Sequence, residues 1–211
     1  PRLRGHFRQR WLGWTVFVVA ALAFALAPAW LVAQPSILLP KPCWPEERLV
    51  GRDTAYAAMP CNRIEALPIG VRTQVECTLA KMRAGGWSPK VYETYRSDRR
   101  QRYLYSYGRT RPGAKVTNVA TAQTGFHYWT LGADIIDAKR LWSAPPKFWY
   151  WLGQHAEACG LVAGAFWKTF PDRPHVQFAA WESASQRPAW VRRLQAEGKR
   201  DSLLLRLGAV R

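Results

Sequence analysis

At 211 residues the chain has room for one compact domain and little else. Its formal charge of +17, from 31 Lys and Arg against 14 Asp and Glu, favours polyanionic surroundings. No basic helix reads as a recognition element and no nucleic-acid-binding motif occurs, so anionic lipid headgroups and cell-wall polymers are the expected partners, not nucleic acid.

The first ten residues form a basic tail carrying Arg2, Arg4, Arg8 and Arg10. All acidic residues come later, and the remainder still holds 27 basic against 14 acidic groups, a balance of +13. Residues 11–33, WLGWTVFVVAALAFALAPAWLVA, are 23 positions without a charge. That length crosses a hydrocarbon core of about 30 Å as a helix. Trp11, Trp14 and Trp30 fall near its two ends, where indole rings favour the interface, and the arginines before it keep the amino terminus cytoplasmic. A cleaved signal peptide is the competing reading, because Ala27-Pro28-Ala29 resembles a small-x-small cleavage site. The run exceeds the roughly 7–15 residues of a signal core and Pro28 occupies the middle of that site, so an uncleaved transmembrane anchor is expected. Both readings place the remainder of the chain outside the membrane.

Residues 34–45, with Pro35, Pro40, Pro42 and Pro45, read as a stiff spacer. The domain itself is expected over 46–180, with a basic helical tail over 181–211. Four cysteines, Cys43, Cys61, Cys77 and Cys159, permit two disulfides in an oxidising compartment, and match no zinc knuckle. Cys61 with Cys77, or Cys43 with Cys61, are the pairings expected from local position; free buried thiols are the other reading.

Residues 71–84 carry apolar side chains at helical spacing and stop at Gly85-Gly86. KVYETY (90–95) reads as a strand, and Asp98 as the cap of the helix DRRQRYLYSYG, which Gly108 ends. A loop with Pro112-Gly113 continues to about Phe126. YWTLGADII (128–136) is the next strand. Pro146 opens a helix closed by Gly160, and GLVAGAFWKTFPDRP leads to the last strand, HVQFA. This order implies an α+β fold, a small antiparallel sheet flanked by helices and preceded by one transmembrane helix. The tail reads either as a packed terminal helix or as one lying on lipid or wall polymer.

Of four histidines, His6 belongs to the amino-terminal tail and His155 sits mid-helix as a surface or packing residue. His127 lies where the loop enters the second strand, and Asp134 is seven residues on. Gly132 shares the face of Asp134 and leaves room above it, whereas Asp137 falls on the opposite face. A carboxylate beside Ile135 and Ile136 is expensive unless something positive compensates it. One zinc ion would do so, and two imidazoles plus one carboxylate are a known catalytic set, with His175 as the second imidazole. Asp172, three residues before His175, is a candidate general base and proton donor, and Arg96 a candidate partner for the oxyanion. Taken singly each has a plainer reading: Asp172 as a turn cap, Asp134 as an arginine's partner, a histidine as a hydrogen-bonded core residue.

YRSDRRQRYLYSYGRTRPGAKVTN (95–118), FHYWTLGAD (126–134) and GLVAGAFWKTFPDRPHVQF (160–178) together resemble the D-alanyl-D-alanine carboxypeptidase and L-alanyl-D-glutamate endopeptidase family of zinc peptidases (VanY-like). The likeness is to its phage-endolysin-like branch, and the family is related in fold to the Hedgehog signalling domain. It spans roughly residues 71–178 in consistent order. The resemblance implies zinc on His127, Asp134 and His175, catalysis by Asp172, and Arg96 beside the reacting carbonyl. Gln101 falls on a recurrent position of the branch; Thr124 stands beside the place where the family often has Ser or Thr, here Gly125; Trp167 is a further candidate for shaping the site. The implied substrate is the peptidoglycan stem peptide, cut between L-alanine and D-glutamate. A D-alanyl-D-alanine carboxypeptidase and a non-catalytic wall-binding module are the alternatives.

Overall fold

A computed structural model of the chain describes residues 43, 58–179, 187–199, 202–203 and 206–207. The basic tail, the apolar span 11–33 and, Cys43 apart, the spacer lie outside the described residues. Among the described residues no helix is long and apolar enough to cross a membrane.

The first helix, α1 (Ile69–Ala84), forms because Val71, Val75, Leu79 and Met82 recur at three- and four-residue spacing and are all buried. Lys81 and Arg83 in its last turn face the negative end of the helix dipole, and Gly86 at φ +81° turns the chain away. Strand β1 (Pro89–Glu93) follows, then α2 (Asp98–Ser106). Its cap is Ser97, not Asp98: the Ser97 hydroxyl accepts from the Arg100 N–H at 3.2 Å, while Asp98 is the first helical residue and pairs with Arg102. Strand β2 (Gly132–Asp137) leads to α3 (Pro146–Ala158), which buries Phe148, Trp149, Leu152 and Ala156. Strands β3 (Leu161–Ala163) and β4 (His175–Phe178) complete a four-stranded antiparallel sheet in the order β1-β2-β4-β3. The described residues thus form the expected α+β arrangement, a small open sheet flanked by helices.

Cross-strand register sorts the two faces. Ala133, Ile135, Val176, Leu161 and Ala163 point to the back, into one core with α1 and α3. Asp134, His175 and Gln177 point to the front. The last helix, α4 (Ala189–Ala196), is not a surface appendage: its Val191, and Leu203 beyond it, are fully buried in that same core.

Two disulfides are present, Cys43–Cys61 and Cys77–Cys159, so the Cys61–Cys77 pairing expected from proximity in sequence does not occur. Cys77 lies on α1 and instead meets the end of α3, 82 residues away, because both helices cover the same side of the sheet.

Strand β2 begins four residues later than its sequence suggests. Residues 126–131 form a tight turn, in which the N–H groups of Trp129 and Leu131 both reach the Phe126 carbonyl and Thr130 adopts φ +54°. An extended strand from His127 onward would have carried its Cα about 23 Å from that of Asp134, at about 3.3 Å per residue. The turn brings the two together.

Candidate metal centre

Asp134 on β2 stands directly opposite His175 on β4, so their side chains leave the sheet side by side. The turn at 126–131 lays His127 over them. The three facing atoms form a nearly equilateral triangle: His127 Nε2 to Asp134 Oδ1 is 3.2 Å, His127 Nε2 to His175 Nδ1 is 3.1 Å, and His175 Nδ1 to Asp134 Oδ1 is 3.1 Å. All three residues are buried, and among the described residues they form a group able to hold a metal ion. Tetrahedral zinc with ligand bonds of about 2.0–2.1 Å needs donors about 3.3 Å apart, so the triangle fits with little movement.

The far side of each imidazole decides what the near side can do. His127 Nδ1 sits 3.1 Å from the Thr94 carbonyl, which only a donated N–H satisfies. His175 Nε2 lies 3.0 Å from Gln177 Oε1 in the same way. In the neutral rings, His127 Nε2 and His175 Nδ1 are therefore lone pairs, and both face a carboxylate oxygen. Three acceptors this close share either protons or a cation. Burial works against the Asp134 charge, but His127, then His175 and Arg96, hold its carboxyl well below the ordinary carboxylate range. Burial likewise lowers the His175 imidazole, yet the hydrogen bond and charge of Asp134 carry it above its ordinary value.

Two glycines make the approach possible. A Cβ on Gly132 would come within 3.1 Å of the His175 ring, so the open space expected there is occupied by an imidazole. A Cβ on Gly164 would lie 2.6 Å from the Asp172 carbonyl and 3.1 Å from His175 Cβ. Gly164 in turn positions Asp172, whose N–H donates to the Gly164 carbonyl at 2.9 Å while its own carbonyl accepts from the His175 N–H at 3.1 Å. Burial, then the Asp134 charge, push the Asp172 carboxyl above the ordinary range, with His175, His127 and Arg96 pulling the other way. A carboxyl raised in this manner suits taking up and releasing a proton.

Arg96 joins several groups of the site. Its Nη2 donates to Asp134 Oδ2 at 3.0 Å and to Glu93 Oε2 at 2.6 Å, Nε donates to Glu93 Oε2 at 2.9 Å, and Nη1 reaches Gln101 Oε1 at 3.4 Å. Glu93 and Asp134 outweigh the burial that opposes its charge. Gln101 is buried and ties Arg96 to the loop through Nε2, which donates to the Val119 carbonyl at 2.5 Å. The Trp167 ring lies 5.4 Å from the His175 ring, and its buried indole N–H has no partner among the described residues. Thr124 is exposed and gives its hydroxyl to the Thr121 carbonyl. Asp137 caps a turn, accepting from the Lys139 and Arg140 N–H groups, and His155 stacks on Trp151 away from the triad.

Glu93, Thr94 and Gln177 surround the triad, and no motif in the sequence marks them. One signal is there to be read: Glu93 lies in an otherwise aromatic and β-branched strand with arginines three and seven residues on.

No family model matches this chain. Similar solved structures include the L-Ala D-Glu endopeptidase ChiX of Serratia marcescens, 16% identical over 60% of this chain and 91% of that one, with a TM-score of 0.44. VanYB in complex with D-alanine-D-alanine is 18% identical over 62% of this chain and 77% of that one, at 0.43. The LD-carboxypeptidase LdcB is 14% identical over 63% of this chain and 64% of that one, at 0.42. Similarity at this level assigns no substrate or reaction to the chain.

Proposed function

We propose that the chain is a zinc-dependent peptidase that hydrolyses an amide of the peptidoglycan stem peptide, the bond between L-alanine and D-glutamate. The observation that carries the reading is the buried triangle of His127, Asp134 and His175, with both imidazole lone pairs turned inward. The substrate rests on the sequence resemblance over residues 71–178. Three protein ligands leave a coordination position open, and zinc bound there would polarise a carbonyl and make a water molecule easier to deprotonate.

The chain's own groups do the rest. Asp172 accepts the proton of the attacking water and returns it to the leaving amine. Arg96 has four hydrogen bonds to protein acceptors, which leaves one of its five N–H groups, on Nη1, for the oxygen that gains charge. Gln101 keeps that guanidinium at its angle, and Trp167 walls the site beside His175. Two disulfides support a location on the oxidising, extracytoplasmic side of the membrane, with 11–33 as a single-pass anchor.

Mass spectrometry of products from purified muropeptides, with and without chelator, tests this. Chelator-sensitive cleavage after L-alanine is the expected result. Release of free D-alanine would move the assignment to a D-alanyl-D-alanine carboxypeptidase. Wall binding without turnover, unchanged by EDTA, would make the domain a binding module.

A further inference from the structure

The sheet register holds an irregularity whose position matters. Along β1 and β2 the pairs Pro89–Asp137, Lys90–Ile136 and Val91–Ile135 run in step, and then Glu93 pairs with Asp134. Had the ladder continued in step, Tyr92 would stand opposite Asp134 and Glu93 opposite Ala133, on the apolar back face. The bulge absorbs Tyr92, whose ring packs edge-on to Trp142 at 4.8 Å, and turns Glu93 to the front. Glu93, Asp134 and His175 then form one row across three strands.

Glu93 is 1% exposed, and two guanidiniums share its carboxylate. Oε2 takes two N–H groups from Arg96, and Oε1 takes one from Arg100 Nε. Arg100 is anchored in turn by its Nη1, which donates to the Ala58 carbonyl at 2.8 Å. A buried carboxylate held on both sides cannot turn, and neither can the Arg96 edge bound to it. That edge presents Nη2 to Asp134 Oδ2, which leaves Asp134 Oδ1 aimed at the two imidazoles.

We propose that Glu93 is a positioning residue of the metal centre: through Arg96 it fixes which oxygen of Asp134 faces the metal and which N–H of Arg96 faces the substrate. The inference rests on the triad being a metal centre, and it adds a residue two hydrogen bonds away from the ion. Arg96 serves both ends because its planar fork donates twice to Glu93 and once to Asp134 in one fixed orientation, which a freely rotating lysine ammonium would not hold.

The test compares the full chain with Glu93→Gln, which keeps size and loses charge. Zinc affinity measured by chelator competition is expected to fall about 10- to 100-fold, the usual cost of removing a support behind a metal ligand. The visible spectrum of the cobalt(II)-loaded protein is expected to change, and turnover to fall in kcat more than in KM. Native affinity and an unaltered cobalt spectrum in folded Glu93→Gln would overturn the proposal. Should that variant fold poorly, Arg96→Lys and the pair with Glu93→Asp supply a cycle. Losses in zinc affinity that are less than additive support a shared role, and full additivity overturns it. Failure of the unmodified chain to take up zinc or cobalt is a separate result, and it sinks the metal-centre reading itself.

Discussion

The two faces of one small sheet carry different tasks, although the same strands build both. On the back, Ala133, Ile135, Val176 and Ala163 are buried among α1 and α3, and their value lies in volume and contact. On the front, Glu93, Asp134, His175 and Gln177 are just as buried, but every one is held by directional bonds. The back should tolerate exchange of one apolar shape for another of similar volume; the front depends on angles and on which atom bears a proton. Buried position alone therefore does not distinguish scaffold from site. The alternation of a strand puts them one residue apart.

Substitutions should separate the faces. The largest effect is expected from His175→Ala, which removes a donor from the triangle: metal content of the purified protein should fall to near zero, and muropeptide turnover with it. Asp172→Ala leaves the three donors in place, so metal content should stay near one per chain while turnover falls by a factor of about 10² or more. Loss of metal in that variant would replace the proton-carrying role proposed for Asp172 with one of ligand support. Ile135→Ala, adjacent to Asp134 but on the back, should lower stability to unfolding by about 2–5 kcal/mol. Its metal content per folded molecule should not change; coupled loss of both would show that the two faces are not separable. Thr124→Ala is expected to do least, within about 0.5 kcal/mol in stability and without effect on turnover, because its hydroxyl only closes a local turn.

That His127, Asp134 and His175 come together was legible from two signals: a carboxylate beside two isoleucines is expensive without a positive partner, and the segments that carry the three residues resemble a zinc-peptidase family. Apolar spacing likewise marked α1, and Pro146 and Gly160 bounded α3. The local path between His127 and Asp134 was not legible, since YWTL has strand-like composition and only the positive φ of Thr130 shows that it bends. The same limit applied to Cys77, whose partner is set by two helices meeting across 82 residues. Glu93 escaped for a further reason. A bulge has no signature in residue type, so alternation from Val91 places this side chain in the core.

Thr94 links the site to a covalent bond. Its carbonyl holds His127 Nδ1, while its N–H donates to the Cys61 carbonyl, its hydroxyl is shared between the Arg63 and Cys61 carbonyls, and Cys61 is joined to Cys43. Protein prepared in a reducing cytosol and protein secreted into an oxidising medium should thus arrive with the same sequence and unequal grips on one imidazole. Inactive material from the first source would report on its manufacture before it reported on the proposed activity.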